Sequence, residues 1–381
     1  MKRRVIPVRP NWNTINEELG FDFNTIDSVD YWQDGVGYEF TLKQVLQLEK
    51  ATNDLHSMYL EVLQNLIRNG DLGRLRISKE YIPAIERSWK RRDPSIYGRF
   101  DFSYDGVHSP KLLEYNADTP TSLLESAVIQ WHWMNDQYKL GNIPHNDQFN
   151  SIHEKLILAW KKYATLMKKS ETLRFAYIGF SHEDFRTVEY LMDVASQAGI
   201  ANLDLVKVED IGCDGEYLAD SNNIIINNLF KLYPYEWMMQ EDFGHILKKE
   251  TCRCIEPLWK AMFSNKAFMV LLWEQFPKHP NLLPTYLNSE HLGKNYVRKP
   301  IFGREGGNII IATEKGSVST DGKYGEEGYI YQAVSMLSKF DDNYAQIGSW
   351  IVDGESAGIC VREDSNPIIT NTSRFVPHYF Y

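Results

Sequence analysis

Asp101, Glu114 and Asn116 lie on two short stretches, Arg99 to Tyr104 and Leu112 to Ala117, separated by a turn at Asp105-Gly106. Both stretches read as strands. Side chains alternate faces along a strand, so Arg99 and Asp101 share one face, as do Glu114, Asn116 and Asp118. Pairing of the two strands would gather hard oxygen donors with no thiolate or imidazole, a set that suits magnesium held jointly by protein and substrate phosphates. The solvated face of an edge hairpin would give the same pattern.

A second constellation runs from Tyr296 to Asn308: a strand carrying Lys299, a turn with Gly303, Gly306 and Gly307, and the start of another strand. Glycines let backbone approach phosphate closely, and a lysine can meet its charge. A plain hairpin turn accounts for the glycines equally well. The segment has neither the GK[ST] of a Walker loop nor a GxGxxG pattern. Lys266 and Arg362 are two further cations that, taken singly, read as surface charges. The segment Thr119-Pro120-Thr121-Ser122 reads as a helix start, with an early proline and Ser122 and Glu125 in capping-box spacing, and a helix is expected through about Met134. Its free N–H groups and hydroxyls could hold an anion beside the metal. No HExxH, GxSxG or Cys/His nucleophile pattern is present, which disfavours protease, esterase and zinc chemistry.

The elements that must position these groups follow from periodicity. Apolar residues from Val45 to Leu66 recur at three- and four-residue intervals, predicting a long amphipathic helix over Thr41 to Asn69 closed by Gly70. Pro83 to Lys90 predicts a second helix. Phe175 to Phe180, Glu189 to Gly199 and Leu203 to Val208 read as strand, helix and strand, a β-α-β unit. In the last third, Tyr296 to Ile301, Asn308 to Thr313, Gly328 to Val334, Ser349 to Asp353 and Gly358 to Glu363 are short strands separated by glycine turns, as in an antiparallel sheet. The expected class is α/β (α+β). Three stretches are expected: 1–165 with the metal hairpin, 166–250 as a β-α-β lobe, and 251–381 as a nucleotide-binding region.

The 381 residues are 43% hydrophobic and 24% charged, enough apolar surface for several lobes around a cleft. A net charge of -10 argues against nucleic acid or an anionic membrane as partner. No run is long and apolar enough for a membrane span or signal peptide, and four cysteines are too few for a disulfide framework. A cytoplasmic protein with reduced thiols is expected, with Cys252 and Cys254 as ordinary strand or loop residues.

In order along the chain, Arg99-Phe100-Asp101, Glu114-Tyr115-Asn116-Ala117-Asp118, Glu256-Pro257-Leu258-Trp259, Asn265-Lys266-Ala267, Lys299-Pro300 with Gly303-Arg304 and Gly307-Asn308-Ile309, and Gly358 to Arg362 resemble the signature segments of the glutathionylspermidine synthase family. The likeness runs from about Trp12 to Pro377. It is to the synthetase part, and best to the stand-alone acid–amine ligase branch. The resemblance implies an ATP-grasp fold with an antiparallel lid sheet and an additional helical and β-α-β lobe. It also implies an ATP-dependent ligase that joins a small-molecule or peptide carboxylate to an amine through an acyl phosphate. Asp101, Glu114 and Asn116 would hold Mg2+. Lys266 and Lys299 would bind the ATP phosphates, Gly303 to Gly307 would form the lid, and Gln332 would receive the adenine. Arg99 and Arg362 would stabilise the transferring phosphoryl group, and Thr119 and Thr121 would line the acid pocket.

The departures from the family pattern also carry information. Threonines stand at 119 and 121 where serines are expected, Glu305 replaces a lid cysteine, and Arg186 partly replaces an acidic pair around Glu183 and Asp184. They point away from glutathione and spermidine as the substrates. Nothing before Trp12 has room for the amidase domain of bifunctional members, so hydrolysis of the product is not expected. The competing reading is a catalytically inactive ATP-binding regulatory protein of the same fold, against which the full set of site residues argues.

Overall fold

The long helix forms as its signals require. The Thr41 hydroxyl accepts the Gln44 N–H at 3.3 Å while Gln44 accepts the Thr41 N–H at 3.0 Å, and Gly70, at φ +72°, turns the chain out of the helix. In the computed structural model, which describes residues 1–26, 28–145 and 147–381, this helix is Leu42–Asn69. Its buried stripe, Val45, Leu48, Leu55, Tyr59 and Leu63, packs on the sheet that carries the acidic hairpin. The short helix Ile82–Lys90 starts with Pro83 in its first turn, as expected.

That central sheet is antiparallel, in the order Arg374–Val376, Glu355–Asp364, Asn343–Val352, Tyr97–Ser103, Lys111–Asn116. It joins a hairpin from the first third of the chain to strands from the last. A second antiparallel sheet contains Thr285–Tyr286, Tyr329–Ala333, Tyr296–Pro300, Ile310–Thr313 and Gly316–Ser319 in that order. The late strand candidates are therefore divided between two sheets that face one cleft.

A third sheet is parallel: Arg253–Ile255, Asn228–Lys231, Leu173–Tyr177, Leu203–Lys207. Helix His182–Gln197 connects the neighbouring strands Leu173–Tyr177 and Leu203–Lys207 in the expected β-α-β manner. It begins earlier than Glu189 because the Ser181 hydroxyl caps it, accepting the Asp184 N–H at 3.2 Å. The arrangement is a mixed one, with helices packed on both antiparallel and parallel sheets. No helix among the described residues is long and apolar enough to cross a membrane.

The helix expected from Thr119 is the principal correction. It starts instead at Leu123 and runs through a π-helical turn, Glu125–Ile129, into Gln130–Lys139. Ser122 caps nothing: it sits at φ +66°, its hydroxyl is engaged by Tyr31 and Arg362, and the Glu125 side chain turns to Tyr31. Tertiary partners have replaced the local capping box. Thr119 to Thr121 consequently line the cleft as non-helical chain, and no helix N-terminus forms at Thr119.

Candidate active site

The hairpin register sets the acidic centre. Asp101 stands opposite Glu114 and Arg99 opposite Asn116, with a bulge just after Asp101. The Asn116 amide bridges the two acids, donating to Asp101 Oδ2 at 2.9 Å and Glu114 Oε1 at 3.2 Å. Arg99 braces the other side of Asp101 through bonds of 2.7 and 3.2 Å and donates to the Thr121 carbonyl at 2.6 Å. Burial would push the Glu114 carboxyl up, but the ammonium groups of Lys266 and Lys299 outweigh it and bring the pKa down to about 2. Burial dominates at Asp101, whose pKa is raised despite Arg99.

No group of three or more His, Cys, Asp and Glu side chains suited to a metal occurs among the described residues. Two carboxylates and one amide oxygen nevertheless fit magnesium, which commonly takes one or two protein carboxylates and completes its shell with substrate phosphate and water. The Asn116 side chain lies between the two carboxylates and turns its amide nitrogen to both, so ligating a cation beside them calls for the amide to turn over and present its oxygen.

Two lysines face this centre. Lys266 donates to Gly303 O at 2.6 Å and pairs with Glu114 Oε2 at 3.0 Å. Lys299 donates to Leu113 O and to Gln332 Oε1 at 2.8 and 2.9 Å, and burial lowers its pKa to about 8. The glycine-rich loop closes over them. Arg304 donates to Glu236 at 2.7 Å and to Thr119 Oγ1 at 2.8 Å, tying the loop to the opposite wall. Gly306, at φ +69°, passes so close to the segment 368–371 that a Cβ would stand 2.4 Å from the Ile369 carbonyl oxygen.

Arg362 approaches from the strand Glu355–Asp364, with its guanidinium held by the carbonyls of Thr370, Asn371 and Ser373 and by Ser122 Oγ. Beside Thr121 lies Glu183, followed in the chain by Asp184, both with raised pKa values caused chiefly by burial, Asp184 to about 7. Arg186 is bonded to other acids. It donates to Asp22 at 3.0 Å and to Glu189 at 2.6 Å.

The sequence profile described as glutathionylspermidine synthase preATP-grasp matches residues 3–381. The chain belongs to this family. As a glutathionylspermidine synthase family member it is an ATP-dependent carbon–nitrogen ligase. A Haemophilus influenzae protein described as "putative acid–amine ligase" is 42% identical, the alignment covering 98% of each chain. The bifunctional glutathionylspermidine synthetase/amidase of Escherichia coli is 31% identical over 89% of this chain, which spans 58% of that longer protein. The apo structure of a glutathione synthetase-like effector from Globodera pallida superposes with a TM-score of 0.58, covering 98% of this chain and all of its own, at 11% identity, a likeness of fold.

Most of the residues singled out from the sequence meet in one cleft. Arg99, Asp101, Glu114, Asn116, Thr119, Thr121, Lys299, Gly306 and Arg362 line one cleft, and Lys266 touches it through Glu114. Gln332 stands behind Lys299 instead of lining the cleft, with its amide engaged by Lys299 and by Leu112 O at 3.2 Å. Gly303 and Gly307 shape the loop without facing the cavity. The apolar slot of Leu113, Val297, Ile311, Met336 and Leu337 was missed, although Val297 shares a strand face with Lys299 and could have been found by alternation. Glu236 and Tyr31 lie far from the motifs in sequence and carry no local signal.

Proposed function

We propose that this ligase activates a carboxylate by phosphorylation from MgATP and then joins it to an amine. Magnesium, held by Asp101, Glu114 and Asn116, would supply charge neutralisation at the ATP phosphates. The nucleotide base fits the apolar slot of Leu113, Val297, Ile311 and Leu337, which leads towards Lys299 and Lys266. These lysines then meet phosphate charge, which adds to that of Glu114 and raises the low pKa of Lys299.

The acid lies along Thr119 and Thr121, within reach of Arg99, Arg304 and Arg362. Its carboxylate oxygen attacks the terminal phosphorus, ADP leaves, and an acyl phosphate remains. Arg99 and Arg362 stabilise the charge on the transferring group, a role in which a fixed cation contributes roughly 10³ to 10⁵ in rate. The amine, drawn as a cation towards Glu183 and Asp184, gives one proton to either carboxylate and attacks the acyl carbon, and phosphate leaves with one oxygen of the original carboxylate and the second amine proton. The Gly306 loop, closed through Arg304 to Glu236 and Thr119, keeps water from the acyl phosphate.

The observation that carries this reading is the single bonded cluster of Arg99, Asp101, Asn116, Glu114 and Lys266 facing the glycine loop. Its test is isotopic. With an acid labelled with ¹⁸O in its carboxylate, released phosphate should carry one ¹⁸O. Unlabelled phosphate from a reaction that forms amide would rule out the acyl phosphate.

A further inference from the structure

Behind Arg362 the cleft wall contains a buried hydroxyl chain that none of the steps above uses. Arg362 Nη1 donates to Ser122 Oγ at 3.2 Å, Ser122 Oγ lies 3.1 Å from the Tyr31 hydroxyl, and Tyr31 donates to Glu125 Oε1 at 2.6 Å. With Glu125 ionised, the direction is fixed along the length of the chain. Tyr31 has one hydroxyl hydrogen and gives it to Glu125, so the Ser122 hydrogen points to Tyr31 and the Ser122 lone pairs face Arg362. Each charge-assisted end strengthens the bond next to it.

Ser122, Tyr31 and Glu125 are all fully buried, and Glu125 Oε2 has no partner among the described residues. An ordered, half-satisfied carboxyl in such a place is costly unless it serves a charge. The backbone bends to build it: Ser122 takes φ +66°, and the helix opens into a π turn beginning at Glu125. The Tyr31 ring also lies under the guanidinium, 5.0 Å from its carbon. With three carbonyls and Ser122 occupied, one Nη1 hydrogen of Arg362 has no acceptor among the described residues, and Arg362 lines the cleft.

We propose that Tyr31 and Glu125 are positioning residues for Arg362, with Glu125 its remote counter-ion and the Ser122–Tyr31 hydroxyl chain fixing the guanidinium towards the transferring phosphoryl group. This rests on the reading of Arg362 as the arginine that stabilises that group. The titratable and charged groups facing Glu125 are Tyr31, Glu183 from helix His182–Gln197, and Arg362. Burial and then Glu183 push its pKa up to about 7, against the pull of Tyr31 and Arg362, so the carboxylate that anchors the chain forms through neutral pH.

Coupling between two charges is reciprocal, so Glu125 itself reports on Arg362. The experiment follows the carboxylic C=O infrared band that is lost in Glu125→Gln, across a pH titration of the full chain. In the wild type it should vanish around neutral pH. Arg362→Ala should move its midpoint upwards, and should move it less when Tyr31→Phe has already cut the chain. An unmoved midpoint in Arg362→Ala overturns the counter-ion role.

The functional arm measures how much fluoroaluminate, a mimic of the transferring phosphoryl group, tightens the binding of MgADP. Tyr31→Phe, Glu125→Gln and the smaller change Ser122→Ala should each lose about tenfold to a hundredfold of that gain, the scale of a misplaced catalytic group, with MgADP affinity alone unchanged. If these variants keep the gain while Arg362→Ala loses it, the positioning proposal fails alone. If Arg362→Ala keeps it, or the wild type shows none, the reading of Arg362 fails.

Discussion

Replacing Gly306 by alanine tests the lid directly. At φ +69° an L residue costs about 1–2 kcal/mol. The added methyl would stand 2.4 Å from the Ile369 carbonyl oxygen and 3.3 Å from Ile368 Cγ2. The first contact is with backbone that cannot rotate aside, and overpacking of this kind costs about 1–3 kcal/mol. The sum, about 2–5 kcal/mol, is carried by the closed loop alone and disappears on opening. The closed-to-open ratio of the lid therefore falls by at least about 30-fold, and apparent affinity falls with the competent fraction. Titration calorimetry with a non-hydrolysable ATP analogue and magnesium should show that loss while the melting temperature barely moves. Gly303→Ala is the control, because its φ is unexceptional and the nearest atoms to its Cβ would be those of the Pro300 ring at 3.2 Å. Wild-type affinity in Gly306→Ala, or an equal loss in Gly303→Ala, would refute the reasoning.

Glu114→Gln keeps the shape but removes the charge at the acidic centre. The magnesium concentration needed for half-maximal turnover should rise at least about tenfold, with circular dichroism unchanged; an unaltered magnesium requirement would contradict the ligand assignment. Arg362→Ala should lower kcat by about 10³ or more while KM for ATP changes little, and parallel losses in both would count against a transition-state role. Lys299, with its pKa lowered to about 8, loses its ammonium as pH rises through that value, so nucleotide affinity should fall above pH 8 in the wild type. Lys299→Met should bind weakly at every pH, and a wild-type alkaline loss that persisted unchanged in it would place the titration elsewhere.

How far the sequence carried this description depends on the range of each signal. The Leu42–Asn69 helix was legible because its cap, stripe and closing glycine are all local. The acidic hairpin was legible because alternation puts Asp101 and Glu114 on facing positions once the turn at Asp105-Gly106 is recognised. The helix start at Thr119 was misread for the opposite reason. Ser122 and Glu125 have capping-box spacing, but Tyr31 and Arg362, distant in sequence, take both side chains. The partners of the Gln332 amide, Lys299 and Leu112 O, are likewise distant in sequence and carry no local signal. Arg186 could not be separated from the neighbouring acids until Asp22 was seen to hold it. Local periodicity fixes elements, whereas the partner of a buried polar group is a tertiary fact.

The central claim is that this chain couples ATP cleavage to amide formation. The decisive measurement is phosphate release from MgATP by the purified protein across a panel of small acids and peptides crossed with amines, with mass spectrometry of active mixtures. The expected result is release that requires both an acid and an amine, with a product lighter than their sum by one water. Tight MgATP binding with no release and no product across the panel would contradict it.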